Sequence, residues 1–145
     1  MPNHWLTKTD PETFSWDNLE KEGKTIWDGV RNYQARNNLK NMIKGDRVLI
    51  YESNIRPAVV GTGEVIKEYF QDPTTTDTRW VAVEIKAGKK FSNPVLLSEI
   101  RKDVLLSEMI LLRNSRLSVF PVTLNEFNRI NFLGNAHTKK EKIIV

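Results

Sequence analysis

The sequence contains no cysteine, and only two of its 145 residues are histidines. The absence of cysteine excludes disulfides, thiolate nucleophiles and every cysteine-based zinc or iron–sulfur site. His4 and His137 stand at opposite ends of the chain, without the spacing of metal ligands and without neighbours that support a catalytic triad. A phosphate-binding motif of the Gly-Lys-Ser/Thr type is also missing. We therefore expect no metal ion, no cofactor and no catalytic residues.

Long apolar stretches are missing as well. Those that occur, such as residues 58–60 and 109–112, have the length of core segments, whereas a membrane-spanning helix needs about 20 apolar residues. The N-terminus lacks the apolar segment of a secretory signal. These features predict a protein outside membranes, located in the cytoplasm, or in the nucleus if its source is eukaryotic. We also expect a monomer.

The charged residues give a small positive excess. The chain has 22 lysines and arginines against 18 acidic residues, a formal net charge of +4. Such an excess favours an anionic partner, nucleic acid among others. Part of it lies in Lys139, Lys140 and Lys142, which an exposed terminus explains equally well. Charge alone therefore indicates nucleic acid without establishing it.

The length is typical of one domain, and the pattern alternates short strands with short helices. Apolar periodicity predicts strands at 4–8, 25–27, 47–53, 58–69, 80–86 and 118–122, and helices at 16–22, 32–42, 94–102, 104–112 and 123–130. This order predicts an α+β fold with a mainly antiparallel sheet or small barrel and helices at its periphery. We place the domain at residues 1–132 and a tail without periodicity at 133–145.

Residues 27–37 are the most informative stretch, Trp-Asp-Gly-Val-Arg-Asn-Tyr-Gln-Ala-Arg-Asn. They combine two aromatic rings with arginines and amides, which suits a planar polar ligand such as a nucleobase. In the helix predicted at 32–42, Ala35, Leu39 and Met42 form one apolar stripe toward the core. Asn32, Arg36 and Lys40 form a polar stripe beside it, free to face a ligand.

The remaining tryptophans and basic residues are ambiguous. Trp16 and Trp80 follow amphipathic patterns and are predicted to lie in the core. Trp5 and Trp27 suit either the core or a pocket. Lys102, Arg113 and Arg116 suit either phosphate contacts or a solvated rim.

Motifs over nearly the whole chain, from about residue 5 to 130, resemble those of the EVE domain family. The most specific is the segment at 27–37. The others are Trp5-Leu6-x-Lys8-x-x-Pro11, Gly45-Asp46, Tyr51-x-Ser53-Asn54, Gly61-x-Gly63-Glu64-Val65, Asp72-Pro73-Thr74, Arg79-Trp80, Leu111-Leu112-Arg113 and Arg116-Leu117-Ser118-Val119-x-Pro121-Val122.

The resemblance implies a PUA-like fold, a mixed β-barrel with short peripheral helices. It also implies a non-catalytic reader of modified nucleobases in DNA or RNA, related to the YTH domains, which enclose a methylated base in an aromatic cage. Carried over by matching motif positions, the implied pocket consists of Trp5, Lys8, Trp27, Asn32, Tyr33, Arg36, Tyr51, Ser53, Asn54, Arg116 and Ser118.

Within that pocket the residue types suggest a division of roles. Trp27 or Tyr51 would stack on the base, and a stacked aromatic contributes roughly 1–3 kcal/mol per base. The amides and hydroxyl of Asn32, Ser53 and Asn54 would bond its edge. The phosphate contacts would come from Lys8, Arg36 and Arg116.

One residue departs from the family pattern, because Glu52 stands where relatives often carry a histidine. This departure concerns the exact ligand. Two alternatives to the reader also stay open. The first is a small enzyme or accessory subunit that acts on modified nucleosides, with Asp28, Glu52 or Lys8 as acid or base. The second is an interaction module that binds a peptide or metabolite, which burial of Trp27 and Tyr51 against the core would favour.

Overall fold

The computed structural model describes residues 3–136. One mixed sheet carries short helices on its faces and edges, in an α+β arrangement as predicted. The elements are β1 His4–Thr9, α1 Trp16–Glu22, β2 Lys24–Trp27, α2 Tyr33–Asn41, β3 Arg47–Glu52, β4 Ala58–Gln71, β5 Val81–Leu96, α3 Leu97–Lys102, a 3₁₀ turn Val104–Leu106, α4 Ile110–Arg113, β6 Val119–Val122 and α5 Leu124–Asn135.

The six strands lie in the order β2-β5-β4-β3-β1-β6. The β1–β3 pair is parallel and the other pairs are antiparallel, so the sheet is mixed. Within residues 3–136 the ladder does not close, because β2 and β6 each pair on one side only. The predicted mixed sheet with short peripheral helices is therefore confirmed, and its barrel is open. Helix α2 packs against both β5 and β6 and covers the open side.

Capping residues define the ends of α1 and the start of α2. Ser15 caps α1 and Gly23 ends it. The Asn32 side chain accepts a hydrogen bond from the Ala35 N–H and so caps α2. Ala35, Leu39 and Met42 are buried, which confirms the predicted apolar stripe.

Three predicted boundaries were wrong. Residues 94–96 continue β5, because the long strand β4 pairs with it up to Leu96. Residues 104–112 split into the 3₁₀ turn and α4, since the Asp103 carboxylate accepts from the Leu105 N–H and turns the chain. Helix α5 begins at Leu124, directly after its N-cap Thr123, but continues beyond the predicted end at 130 to Asn135, with Leu133 buried. Most of the predicted tail at 133–145 lies outside the described residues.

An irregularity in the β3–β4 ladder at Gly61 positions α1. The β3–β4 register shifts beside Gly61. A Cβ atom there would lie 2.8 Å from the Lys89 carbonyl oxygen and from the Trp16 ring. The N–H of Trp16, in turn, donates to Glu52 Oε2 at 2.8 Å. Glu52 therefore holds the start of α1, and Trp16 is a core residue as predicted. Among the described helices none has the length and apolar character needed to cross a bilayer.

Candidate functional site

Several predicted site residues meet where the parallel strands β1 and β3 end. Lys8 stands opposite Tyr51 in the register. The N–H and the Oγ of Ser53 both donate to the Thr9 carbonyl, at 2.9 and 3.2 Å. The Lys8 N–H donates to the Ser118 carbonyl at 2.9 Å. We call this group the strand-end cluster, and it consists of Lys8, Tyr51, Ser53, Asn54, Arg116 and Ser118.

Lys8 is the centre of the strand-end cluster. Its Nζ donates to the Ser115 carbonyl at 2.8 Å, which brings the segment with Arg116 to the strand ends. The ammonium also lies 5.8 Å from the ring centroids of Tyr51 and Phe120. Burial lowers the pKa of Lys8. The side chain thus organises the cluster, and part of its donor capacity is already used.

Other members of the cluster keep free polar groups. Within residues 3–136 the Tyr51 hydroxyl, the Asn54 amide, the Arg116 guanidinium and the Ser118 hydroxyl make no hydrogen bond to the protein. Burial raises the pKa of Tyr51, although Arg101 opposes this shift, so its hydroxyl stays protonated at neutral pH. These groups supply both donors and acceptors for the edge of a heterocycle.

Trp27 adjoins this cluster through Phe14. The two rings meet edge to face with centroids 6.2 Å apart. The Phe14 carbonyl accepts from Thr9 Oγ1 at 2.6 Å, which links Phe14 to the end of β1. Trp27 is only 7% exposed and Tyr51 only 4%. Neither ring therefore presents an open stacking face, and this burial by itself favours the interaction-module alternative.

Tyr33 and Arg36 belong to a second, exposed group, which we call the Tyr33 patch: Arg31, Tyr33, Arg36, Arg79 and Trp80. The Tyr33 and Trp80 rings stack at 5.2 Å with a 34° tilt. Arg36 lies 5.1 Å from the Tyr33 centroid, and Arg79 donates to the Tyr33 hydroxyl at 2.9 Å. Arg31 and Arg79 lie 5.7 and 5.8 Å from the Trp80 ring. Alternating guanidinium and aromatic groups give a surface that suits nucleic acid.

A buried carboxylate supports the Tyr33 patch. Asp72 is 0% exposed. It accepts from the Gly29 N–H at 2.8 Å, from Arg31 at 2.9 Å and from both the N–H and hydroxyl of Thr74. Burial alone would raise the pKa of Asp72, but the hydrogen bonds from Thr74, Arg31 and Gly29 outweigh it and lower that pKa to about 2. The ionised carboxylate joins the start of α2 to the β4–β5 loop.

Two predicted site residues, Trp5 and Asn32, make hydrogen bonds within the fold that limit their part in a site. Trp5 is three residues from Lys8 on β1, so the two side chains project from opposite faces of the strand. Trp5 is 4% exposed, and its indole N–H donates to Asp46 Oδ2 at 2.9 Å. The side-chain oxygen of Asn32 accepts the hydrogen bond that caps α2. The structure therefore does not bring Trp5 to the strand-end cluster, and it limits Asn32 to its amide donors.

Residues 3–132 match the model of the EVE domain. The chain belongs to the EVE domain family. Thymocyte nuclear protein 1 of Gallus gallus is 32% identical over an alignment 159 positions long. The match covers 86% of this chain and 66% of that protein. The chain thus spans about two thirds of that relative's length.

Solved structures of relatives share the fold of this EVE domain. A protein of Agrobacterium tumefaciens is 38% identical, with a TM-score of 0.89 and coverage of 91% of this chain and 92% of that one. Human THYN1, crystallised in complex with DNA that contains 5-methylcytosine, is 29% identical with a TM-score of 0.85. The match covers 94% of this chain and 99% of the human one.

Sequence reasoning missed part of the EVE domain's Tyr33 patch. It assigned Trp80 to a core strand, whereas Trp80 is partly exposed and precedes β5. Its N–H donates to the Asp77 carbonyl at 3.2 Å and closes a turn, so the ring stays outside the sheet. The signal that could have found it was the Arg79-Trp80 pair, whose arginine and indole are typical of an exposed cation–π contact.

Substitutions at Asn54 test how much the backbone conformation of the loop after β3 contributes to the stability of the EVE domain. Its φ of 97° lies in the left-handed region, which glycine adopts freely and β-branched residues avoid. We expect N54G to match the wild-type free energy of unfolding within about 0.5 kcal/mol. N54V should lower it by about 1–3 kcal/mol. Urea unfolding measures both, and equal stability of all three proteins would contradict the prediction.

Proposed function

We propose that this EVE domain binds a modified nucleobase in DNA, with 5-methylcytosine as the first candidate, and leaves the base chemically unchanged. The observation that carries the proposal is the human relative, a structure of the same fold over 94% of this chain, in complex with 5-methylcytosine-containing DNA. The aromatic, amide and arginine side chains of residues 27–37 suit the same class of ligand. RNA is the second candidate carrier of the base.

The strand-end cluster supports the proposal as the place where the base is bound. A base read outside the helical stack needs hydrogen-bond partners for its edge and aromatic or apolar contacts for its faces. The Tyr51 hydroxyl and the Asn54 amide are free for the edge, and Arg116 is exposed for a phosphate. The Tyr33 patch offers a further contact for the nucleic-acid backbone.

Two of the candidate acids and bases already make hydrogen bonds within the protein, which supports a binding role. Glu52 accepts from the Trp16 N–H, and Lys8 donates to the Ser115 carbonyl. Asp28 is exposed and does not belong to the strand-end cluster. Among residues 3–136 no cluster of three or more histidine, aspartate or glutamate side chains suits a metal ion. We therefore propose no reaction for this pocket.

The test compares labelled oligonucleotides that differ only in one methyl group. Fluorescence anisotropy with duplex DNA and with RNA, each carrying cytosine or 5-methylcytosine, should give tighter binding to methylated DNA. Y51F removes one oxygen from a folded protein and should weaken binding to that DNA roughly fivefold, the effect of one lost hydrogen bond. Equal wild-type affinity for both cytosine forms would contradict the proposal.

The interaction module stays a second candidate, because Trp27 and Tyr51 are largely buried. A module of this kind would bind a peptide or metabolite elsewhere on the surface. In that case Y51F would leave all binding to nucleic acid unchanged, and unmodified and methylated duplexes would compete equally. The same titration therefore separates the two candidates. A monomeric state and a location in the cytoplasm, or in a eukaryotic nucleus, remain predictions from the sequence.

A further inference from the structure

The loop between β3 and β4 carries an isoleucine that the protein does not bury. Ile55 is 93% exposed, more than any other large hydrophobic side chain among the described residues. On the basis of the proposed function, we propose that Ile55 is a wedge. It enters the base stack of duplex DNA beside the nucleotide that the strand-end cluster binds, and it keeps that nucleotide out of the helix.

The location of Ile55 supports this role. It follows Ser53 and Asn54, two members of the strand-end cluster, directly along the chain. A base can reach this cluster only after leaving the duplex, and the gap it leaves closes again unless something fills it. Isoleucine is one of the apolar residues that proteins insert between base steps. The wedge and the proposed pocket are thus next to each other.

The loop is held at both ends, so the exposed side chain is presented by a fixed backbone. Ser53 donates twice to the Thr9 carbonyl, at 2.9 and 3.2 Å. The Pro57 carbonyl accepts from the Leu97 N–H at 2.9 Å. Between these anchors Asn54 adopts a φ of 97°, in the left-handed region. A presented side chain loses less entropy on insertion than one on a loose loop.

Other exposed apolar residues lack this setting. Val104 and Leu105 are 81% and 61% exposed, but they lie on the 3₁₀ turn after α3 and belong to neither group of site residues. Ile55 is also followed by Arg56, an exposed cation. Arg56 and Lys102 line a cleft of about 930 Å³ beside the loop, together with Glu52 and Glu99. Arg56, which follows Ile55 directly and is exposed, is placed to meet a phosphate that flanks the displaced nucleotide.

The experiment separates the insertion of Ile55 into a duplex from the recognition of the base by the strand-end cluster. One oligonucleotide with a single 5-methylcytosine is used as a single strand and as a duplex, and anisotropy measures its affinity for wild type, I55A, I55L and V104A. I55A should bind the duplex about fivefold more weakly than wild type, because unstacking is then less well compensated. Its affinity for the single strand should stay the same. I55L should retain binding, and V104A should change neither affinity.

A second readout is 2-aminopurine placed next to the methylated cytosine, which becomes fluorescent when its neighbour leaves the stack. The wild type should raise this signal in the duplex, and I55A should raise it less at saturation. Equal losses of I55A on single strand and duplex, or no loss on the duplex, would overturn the wedge. Failure of the proposed function itself looks different, since the wild type would then show no preference for the methylated base in either form.

Discussion

Replacement of Asp72 by asparagine is expected to lower the free energy of unfolding by about 2–3 kcal/mol at pH 7, the range for lost hydrogen bonds to a charged group. The Asp72 carboxylate is fully buried and receives donors from Gly29, Arg31 and Thr74. An asparagine has one oxygen fewer and points an N–H₂ group at these donors. Urea unfolding of wild type and D72N measures the difference.

The pH dependence gives an independent check on Asp72. Its pKa is about 2 in the folded protein and 3.8 as the ordinary reference value. The carboxylate therefore contributes fully to stability above pH 4 and loses this contribution as the pH falls toward 2. D72N should show a flatter decline between pH 4 and 2 than the wild type. Parallel declines of the two proteins would contradict the expected role.

Asp77 is the matched control in the same loop. Hydrogen bonds from Arg79 also lower its pKa to about 2, and Arg79 pairs with it at 2.6 Å. Its side chain is 34% exposed and that of Arg79 is 58% exposed. Water screens such a pair, so D77N should cost much less stability than D72N. The comparison isolates burial as the cause.

Replacement of Tyr33 by alanine is expected to weaken binding to DNA roughly tenfold, if the proposed function holds, since a hydrogen bond to a charged group such as a phosphate contributes about 1.5–3 kcal/mol. The 53% exposed ring holds two cations that can make such contacts, Arg36 at 5.1 Å from its centroid and Arg79 through its hydroxyl. Contacts to sugar and phosphate carry no sequence information. Y33A should therefore weaken binding to methylated and unmodified duplexes equally.

Tyr69 provides the control for this experiment. It is 49% exposed, and Lys40 lies 5.6 Å from its ring centroid, so its surroundings resemble those of Tyr33. It lies on β4, outside both groups of site residues. Y69A should leave DNA affinity unchanged. If Y33A and Y69A weaken binding to the same extent, the Tyr33 patch has no special part in it.

Much of the candidate site could be predicted because its motifs are local. Ser53 and Asn54 stand next to each other in the chain, and Tyr51 precedes them in the same motif. Lys8 could be joined to them only by the family pattern. Its neighbour in space, Ser115, is 107 positions away, a separation that no periodicity reveals.

Tryptophan roles were the weakest part of the sequence reasoning. A tryptophan suits a core and a pocket equally well, and only its surroundings decide. The Trp5 indole donates a hydrogen bond to Asp46 and is buried in the core, whereas Trp80 lies outside the sheet and packs against Tyr33. Both outcomes depend on residues more than 40 positions away, namely Asp46 for Trp5 and Tyr33 for Trp80.

By itself the sequence determined the α+β class, the position of α1, the apolar stripe of α2 and the resemblance to EVE domains. The two helical features follow from short-range patterns, since helical periodicity involves residues within one or two turns. The tertiary structure alone decided that the sheet stays open, that β5 extends to Leu96, and that the predicted site divides into the strand-end cluster and the Tyr33 patch. Strand pairing and buried hydrogen bonds join residues that are far apart in the chain. Which residues pair therefore depends on the packing of the whole fold.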